Sequence, residues 1–146
     1  MEERTEYEIR TGSENMDVRA VHDFLSKESY WAKGIPLSTV EQSLKNSYCA
    51  GVFTDGRQIG FARLITDYST FAYLADVYIL SEHRGKGLSE KLMEHLMNAE
   101  WSGSLRRIVL ATLDAHGLYQ KFGFTALERA ESFMEIKRDR IYKDNR

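Results

Sequence analysis

The apolar positions of this chain change their period several times, and each change marks an element. Val18, Val21, Phe24 and Leu25 recur at helical spacing after the helix-start residues Ser13 and Asn15, which predicts a first helix ending near Ser29. Residues 6–10 ahead of it read as a first strand. The aromatic loop YWAKGIP then leads into a short second helix over residues 37–44, with Val40 and Leu44 on one face. SYCAGVFT meets QIGFARLIT at Asp55 and Gly56, a strong hairpin signal, and FAYLADVYIL follows a break at Asp67. Connections this short exclude crossovers, so the three runs form an antiparallel meander. Leu88, Leu92 and Leu96, with Met93 and Met97 beside them, trace a helix with a buried stripe. RIVLAT reads as a buried parallel strand, HGLYQKFGF as a short helix stopped at Gly123, and SFMEIKR as a closing strand. The order β-α-α-β-β-β-α-β-α-β predicts one α/β (α+β) domain over residues 1–146, built on a central mixed sheet.

Composition narrows the function classes. The 146 residues are 42% hydrophobic and 29% charged, enough for one globular core without staples. The net charge of −2 lacks the basic footprint of a nucleic-acid binder, and the locally basic residues 137–146 read as a solvated terminus. The single cysteine, Cys49, excludes an internal disulfide; its apolar setting makes it a buried strand residue rather than a nucleophile. No stretch approaches the ~20 apolar residues of a membrane span, and the first residues lack the apolar core of a signal peptide. The expectation is a cytoplasmic protein. His22, His83, His95 and His116 show no metal-ligand spacing. Of these, His83 reads as a solvent-facing loop residue and His116 as a secondary site candidate.

The stretch SEHRGKGLSEKL carries the chemistry. Arg84, Gly85, Lys86 and Gly87 stand where a strand gives way to a helix. The first amides of a helix have no intrahelical acceptor and lie at the positive end of its dipole. Glycines let that backbone approach a bulky group, so phosphate is the expected guest. The spacing fits neither a Walker loop nor a Rossmann fingerprint, because Glu90 stands where the third Rossmann glycine belongs.

R-G-K-G-L-S after VYIL resembles the pyrophosphate-binding motif of the GCN5-related N-acetyltransferases (GNAT), [QR]-x-x-G-x-[GA]. Arg84 fills its first position, Gly87 its fourth, and Ser89 its last, where Gly or Ala is usual. DAHGLYQKFGF is similar to the family's N-x-x-A-x-x-L-Y-x-K-x-G-F region, with Ala115, Leu118, Tyr119, Lys121, Gly123 and Phe124 at its fixed positions and Asp114 just ahead of the alanine. The resemblance extends over essentially the whole chain. YWAKGIP, GFARLITDYSTFAYLADV and DAHGLYQKFGF resemble a bacterial subgroup of unassigned substrate.

The resemblance implies a mostly antiparallel sheet splayed between its fourth and fifth strands, flanked by about four helices. It implies direct transfer of an acetyl group from acetyl-CoA to a primary amine, of a small molecule, in a ternary complex. The backbone of Ile79 and Leu80 would pair with pantetheine, and an N–H near either would hold the oxyanion. Arg84, Gly85, Lys86, Gly87, Leu88 and Ser89 would hold the pyrophosphate. Asp114 would contact pantetheine, and Tyr119 would protonate the departing thiolate.

The residues add candidates of their own. Asp76 is a mid-strand carboxylate, expected on one pleat face with Leu74, Tyr78 and Leu80. It could act as the base, anchor the substrate's ammonium group, or pair with Arg63 on the neighbouring strand. Tyr30, Trp31, Tyr68, Phe71 and Tyr73 are expected near the acceptor cleft, as an aromatic wall for a cation or as ordinary packing; Asp67 would add negative charge there. The acceptor site is therefore assigned to Tyr30, Trp31, Arg63, Tyr73 and Asp76. Two other classes remain open: a non-catalytic acyl-CoA-binding or sensor module, and an acetyltransferase acting on protein lysines or N-termini. Tyr119 and Asp76 together favour catalysis. A homodimer is compatible with the resemblance.

Overall fold

The computed structural model describes residues 5–142. Along the chain lie β1 (Glu8–Thr11), α1 (Val18–Lys27), α2 (Leu37–Lys45), β2 (Tyr48–Thr54), β3 (Arg57–Thr66), β4 (Phe71–Ile79), α3 (Leu88–Met97), β5 (Arg107–Val109) and α4 (His116–Gln120). The strands form one sheet in chain order, antiparallel throughout except where β4 meets β5.

Local chemistry explains most boundaries. Residues 13–15 make only a single 3-10 turn, and α1 starts at Val18, where the Asp17 carboxylate accepts from the amide of Ala20. Asp55 and Gly56 both take positive φ, 51° and 74°, the pair of left-handed residues that matches hairpin twist. Apolar faces then assemble two cores. Ala50, Val52, Ile59, Leu64 and Leu74 of the sheet pack against Leu88, Leu92, Met93, Leu96 and Tyr119. On the opposite face Cys49, Phe61 and Tyr78 pack against Val21, Phe24, Leu25, Val40 and Leu44. The sheet is thus sandwiched between α1/α2 and α3/α4. Truncating a buried side chain such as Leu92 or Leu96 would cost about 2–5 kcal/mol.

One irregularity in β4 organises the site. Arg63 pairs with Ala75 and Phe61 with Tyr78, so two residues of β4 oppose the single residue Ala62. Asp76 lies in this bulge with φ 58°. The extra residue resets the alternation of side chains. Leu74 and Ile79 face one core and Tyr78 the other, so the single pleat face expected for Leu74, Asp76 and Tyr78 does not exist. Beyond the bulge β4 and β5 separate: their ladder covers only Phe71–Tyr73 of β4, against Arg107–Val109.

Two expectations fail here. The fifth strand is three residues long and half-buried rather than a six-residue buried strand, because its partner diverges. The closing strand over residues 132–138 is absent from the described residues. Phe133 rests on the Arg107 guanidinium, 5.1 Å from ring centroid to Cζ, and the following residues pair with no strand. Strand propensity alone does not hold an edge segment without packing. The last four residues of the basic stretch lie outside the described residues.

Candidate active site

The loop between β4 and α3 is left-handed at Gly85 (φ 78°) and Gly87 (φ 74°). A Cβ at either position would meet nothing within 4 Å, so the dihedral rather than crowding requires glycine, and the space above the turn is open. Gly87 caps α3, and its carbonyl already accepts from Lys91 at 3.2 Å. The amides of Leu88 and Ser89 therefore begin the helix with no intrahelical partner. Arg84 Nε donates to the carbonyl of Ile79 at 2.8 Å, which pins the turn to the end of β4. Lys86 Nζ lies 5.9 Å from the centroid of the Tyr7 ring.

Below this turn opens a cleft of about 480 Å³, lined from β4, the turn, α1, the aromatic loop and α4. Leu80 donates to the Ile59 carbonyl at 2.8 Å, and its own carbonyl accepts from His83. Both backbone groups of Leu80 are thus committed within the fold, and its expected role as a donor to the ligand is corrected. By the alternation of an antiparallel ladder, the amide and carbonyl of Ile79 then face away from β3, towards the side where β4 and β5 part.

From α4 the buried Tyr119 joins the lining, with Asp114, Ala115 and Leu118. Burial raises its phenol above the ordinary tyrosine value, and the negative charge of Asp114 and the proximity of Tyr30 push the same way. The hydroxyl therefore keeps its proton at neutral pH. His116 is exposed and does not line the cleft. Glu90 and Lys121 join the start of α3 to the end of α4, at 2.6 Å.

The Asp76 carboxylate is engaged on both oxygens. Arg63 Nε donates to Oδ2 and Trp31 Nε1 to Oδ1, each at 2.7 Å, and Arg63 Nη1 donates on to Ser47 Oγ at 2.9 Å. The ionic pair is largely buried, with side-chain exposures of 14% for Arg63 and 9% for Asp76. Neither residue lines the cleft; they reach it through Trp31, whose ring meets Tyr30 edge-on at 5.0 Å. Phe24 and Tyr78 stack at 3.9 Å behind them.

The remaining aromatic residues do not join this wall. Tyr68 packs edge-on against Trp101, which also meets Tyr48, in a separate cluster. Tyr73 pairs with Ile65 and Val109 before the strands part, and neither it nor Phe71 lines the cleft. Asp67 accepts from the amides of Ser69, Thr70 and Phe71 and from the Thr70 hydroxyl, which together hold its carboxyl well below the usual range; it closes a turn and adds nothing to the cleft. Cys49 is buried, and burial pushes its thiol up to about 12.

Sequence reasoning missed one contributor. His83 lines the cleft, and its Nδ1 is hydrogen-bonded to the Tyr7 hydroxyl at 2.8 Å, with the two rings edge-on. Tyr7 precedes β1, far away in the chain, so no local pattern announces the pairing. Phe24 and Tyr78 had periodic signals, but these spoke of core rather than of a site.

The acetyltransferase (GNAT) family model matches residues 17–124. The chain belongs to the GNAT family. A candidate acetyltransferase of Gibberella zeae, FG08082, is 31% identical over 139 residues, covering 81% of this chain and 78% of that protein. The Escherichia coli streptothricin acetyltransferase is 32% identical over 89 residues, 58% of this chain and 51% of that enzyme. The crystal structure of a candidate GNAT acetyltransferase from Xanthomonas campestris pv. campestris, xcc2953, superposes with a TM-score of 0.91 at 45% identity, covering 94% of this chain and 97% of that one. A Clostridium acetobutylicum structure solved with acetyl-CoA shares the fold, with a TM-score of 0.69 at 14% identity, covering 90% of this chain and 96% of that one. This protein is accordingly a GNAT acyltransferase with the mixed, splayed sheet of that fold. No helix among the described residues is long and apolar enough to cross a membrane.

Proposed function

We propose that this GNAT protein transfers an acetyl group from acetyl-CoA to the primary amine of a small molecule. The observation that carries the reading is the shared cleft. The open, left-handed turn at Gly85 and Gly87 and the buried, protonated Tyr119 line the same cleft. The donor set suits a diphosphate joined to a thioester: helix-start amides for the anion, an outward-facing strand amide for the acyl carbonyl, and an acid for the sulfur.

Acetyl-CoA supplies an activated acyl group when bound. The chain supplies the rest. Amides from Gly85 to Ser89 bind the diphosphate, with Arg84 bracing their turn from beneath. The Ile79 amide polarises the acyl oxygen. As the C–N bond forms and the C–S bond breaks, the amine gives its proton to water and the Tyr119 phenol gives its own to the departing sulfur, recovering one from solvent afterwards. Asp76, with both oxygens occupied, acts as a positioning residue for Trp31. Tyr30 and Trp31 offer the incoming amine exposed aromatic faces. The streptothricin acetyltransferase relative supports an acceptor of small-molecule size.

A thiol-release assay with acetyl-CoA against an amine library tests this reading. A responsive amine, with turnover about 10²-fold slower in Tyr119→Phe, is expected. Turnover no faster than hydrolysis for every amine, in a protein that still binds coenzyme A by calorimetry, would leave a binding module instead.

A further inference from the structure

The wall that Tyr30 and Trp31 give the cleft has the build of a seat for a cation. Both rings are open to solvent, Tyr30 by 65% and Trp31 by 43%. They stand at 83° to each other, with centroids 5.0 Å apart. Such a corner presents more than one π surface to a compact charge, whereas a flat aromatic guest is better served by parallel faces. Trp31 is fixed in place. Its Nε1–H donates to Asp76 Oδ1 at 2.7 Å, and Arg63 holds Asp76 in turn. That bond occupies the one donor of the indole, so the ring offers the cleft a π face and no hydrogen bond. Donation to a carboxylate also leaves more electron density on the ring, which strengthens its hold on positive charge. The loop beneath is tied down as well: Ser29 Oγ accepts from the Ala32 amide and His22 Nε2 donates to the Ile35 carbonyl, each at 3.0 Å.

The charges of the cleft agree with this reading. Arg84 lies at the turn assigned to the diphosphate, and Glu90 is paired with Lys121. That leaves the Asp114 carboxylate, which makes no hydrogen bond or ion pair among the described residues. Its field favours a cation in the same space. Tyr30 stands close enough to Tyr119 to push the phenol up, so the aromatic corner adjoins the acid.

A cation seat beside an acyl-transfer site poses a chemical problem. The nucleophile must be a neutral amine, yet an amine with the ordinary value of ~10.4 is almost wholly protonated at neutral pH. An ammonium group resting on the rings is therefore held in its unreactive form. A molecule with two basic nitrogens removes the conflict. One stays charged on the rings, and its charge makes the other easier to deprotonate. We infer that the acceptor is a diamine, with one ammonium group seated in the Tyr30–Trp31 corner while the other nitrogen, as the free amine, attacks the thioester. The C–N bond forms as the C–S bond breaks; the attacking nitrogen loses its proton to water and the sulfur takes one from Tyr119. The inference rests on the acetyl-transfer reading above and narrows its acceptor class.

Thiol release by the full chain with acetyl-CoA tests the inference. Propane-, butane-, pentane- and hexanediamine are each compared with the amino alcohol of equal length, in which a neutral hydroxyl replaces the second nitrogen. The best diamine should exceed its amino alcohol by roughly 10-fold in kcat/KM. Trp31→Leu should erase that margin while changing amino-alcohol turnover by less than about 3-fold, whereas a merely structural role would lower both together. If Trp31→Leu loses its far-UV signal, Tyr30→Leu makes the same comparison. Equal use of diamine and amino alcohol by the wild type overturns the inference, and so does a margin that survives the substitution. A second arm needs no turnover. Bis-trimethylammonium alkanes of the same lengths cannot be acetylated, and titrating them should change tryptophan emission saturably in wild type and not in Trp31→Leu. That result with no amine acetylated would defeat the transfer reading and leave the ammonium seat standing. No saturable change in wild type overturns the seat itself.

Discussion

Removing the carboxylate of Asp76 would leave the Arg63 guanidinium largely buried, with Ser47 Oγ at 2.9 Å as its remaining side-chain acceptor among the described residues. Breaking a buried ion pair from one side costs about 3–5 kcal/mol. Asp76→Ala also puts a side chain without local hydrogen-bonding capacity at φ 58°, a conformation worth roughly 1 kcal/mol more to an aspartate. The expected loss is therefore about 4–6 kcal/mol, and at roughly 2–4 °C per kcal/mol the melting temperature falls by about 8–24 °C. Asp76→Asn keeps the backbone tolerance and one acceptor oxygen, so about half that loss is expected. Arg63→Met in the Asp76→Ala background removes the orphaned charge and should recover at least ~2 kcal/mol. Urea melts of wild type, Asp76→Ala, Arg63→Met and the double variant close the cycle. Additivity within ~0.5 kcal/mol would show that the pair is not coupled and that the reasoning is wrong. Kinetics of Asp76→Asn separate positioning from proton transfer. If Asp76 positions Trp31, KM for the amine rises while kcat changes by less than ~10-fold; a kcat loss of ~10² or more at constant KM would restore it as the base.

Tyr119→Phe should lower kcat by about 10²-fold with little change in stability, because the ring packing is kept. The raised phenol pKa means that the wild-type acid is fully protonated through neutral pH, and its contribution is lost only as pH climbs past that raised value. The alkaline fall in kcat should accordingly vanish in the variant; a fall that persists unchanged would remove Tyr119 from the acid role. Gly87→Ala should cost about 1–2 kcal/mol through backbone strain alone, since its Cβ has room, and should weaken coenzyme A binding in calorimetry. Gly60→Ala should fail differently: its Cβ would sit 2.6 Å from Ile79 Cδ1 and 3.2 Å from the Tyr78 carbonyl, prising β3 from β4. Cys49, with its thiol pushed up to about 12 and fully buried, should react with a thiol reagent only at the rate of global unfolding, measurable by stopped-flow absorbance in urea.

The legible part of this protein was whatever local chemistry decides. Helical spacing located α1, α2 and α3, the Asp55-Gly56 pair placed the hairpin, and the glycines after β4 announced their turn. The illegible part depends on partners distant in the chain. Asp76 shows no local sign of its positive φ; the bulge exists because Arg63 and Trp31, from β3 and the aromatic loop, converge on it. The Tyr7–His83 hydrogen bond is equally non-local. The closing strand illustrates the reverse error: SFMEIKR has the period of a strand, yet Met134 and Ile136 gain no burial and so nothing holds the segment in a ladder. Tyr68 and Tyr73 share the composition of the acceptor loop but lie on the wrong side of the point where β4 and β5 part.

The bulge at Asp76 fixes a metric between two parts of the chain. Upstream of it, β4 is held by its ladder to β3 and β5; downstream, the seven intervening positions to Arg84 carry Ile79 and the turn with a set handedness. Deleting one residue at the bulge would restore an even ladder, with Ala75 still opposite Arg63 and Tyr78 still opposite Phe61, but would remove the left-handed residue that delivers a carboxylate to Arg63 and Trp31. Relatives one residue shorter at the bulge should therefore keep the register of β4 and lack the carboxylate that joins Arg63 to Trp31, whereas length variation in the loop around Tyr68 should leave that linkage intact.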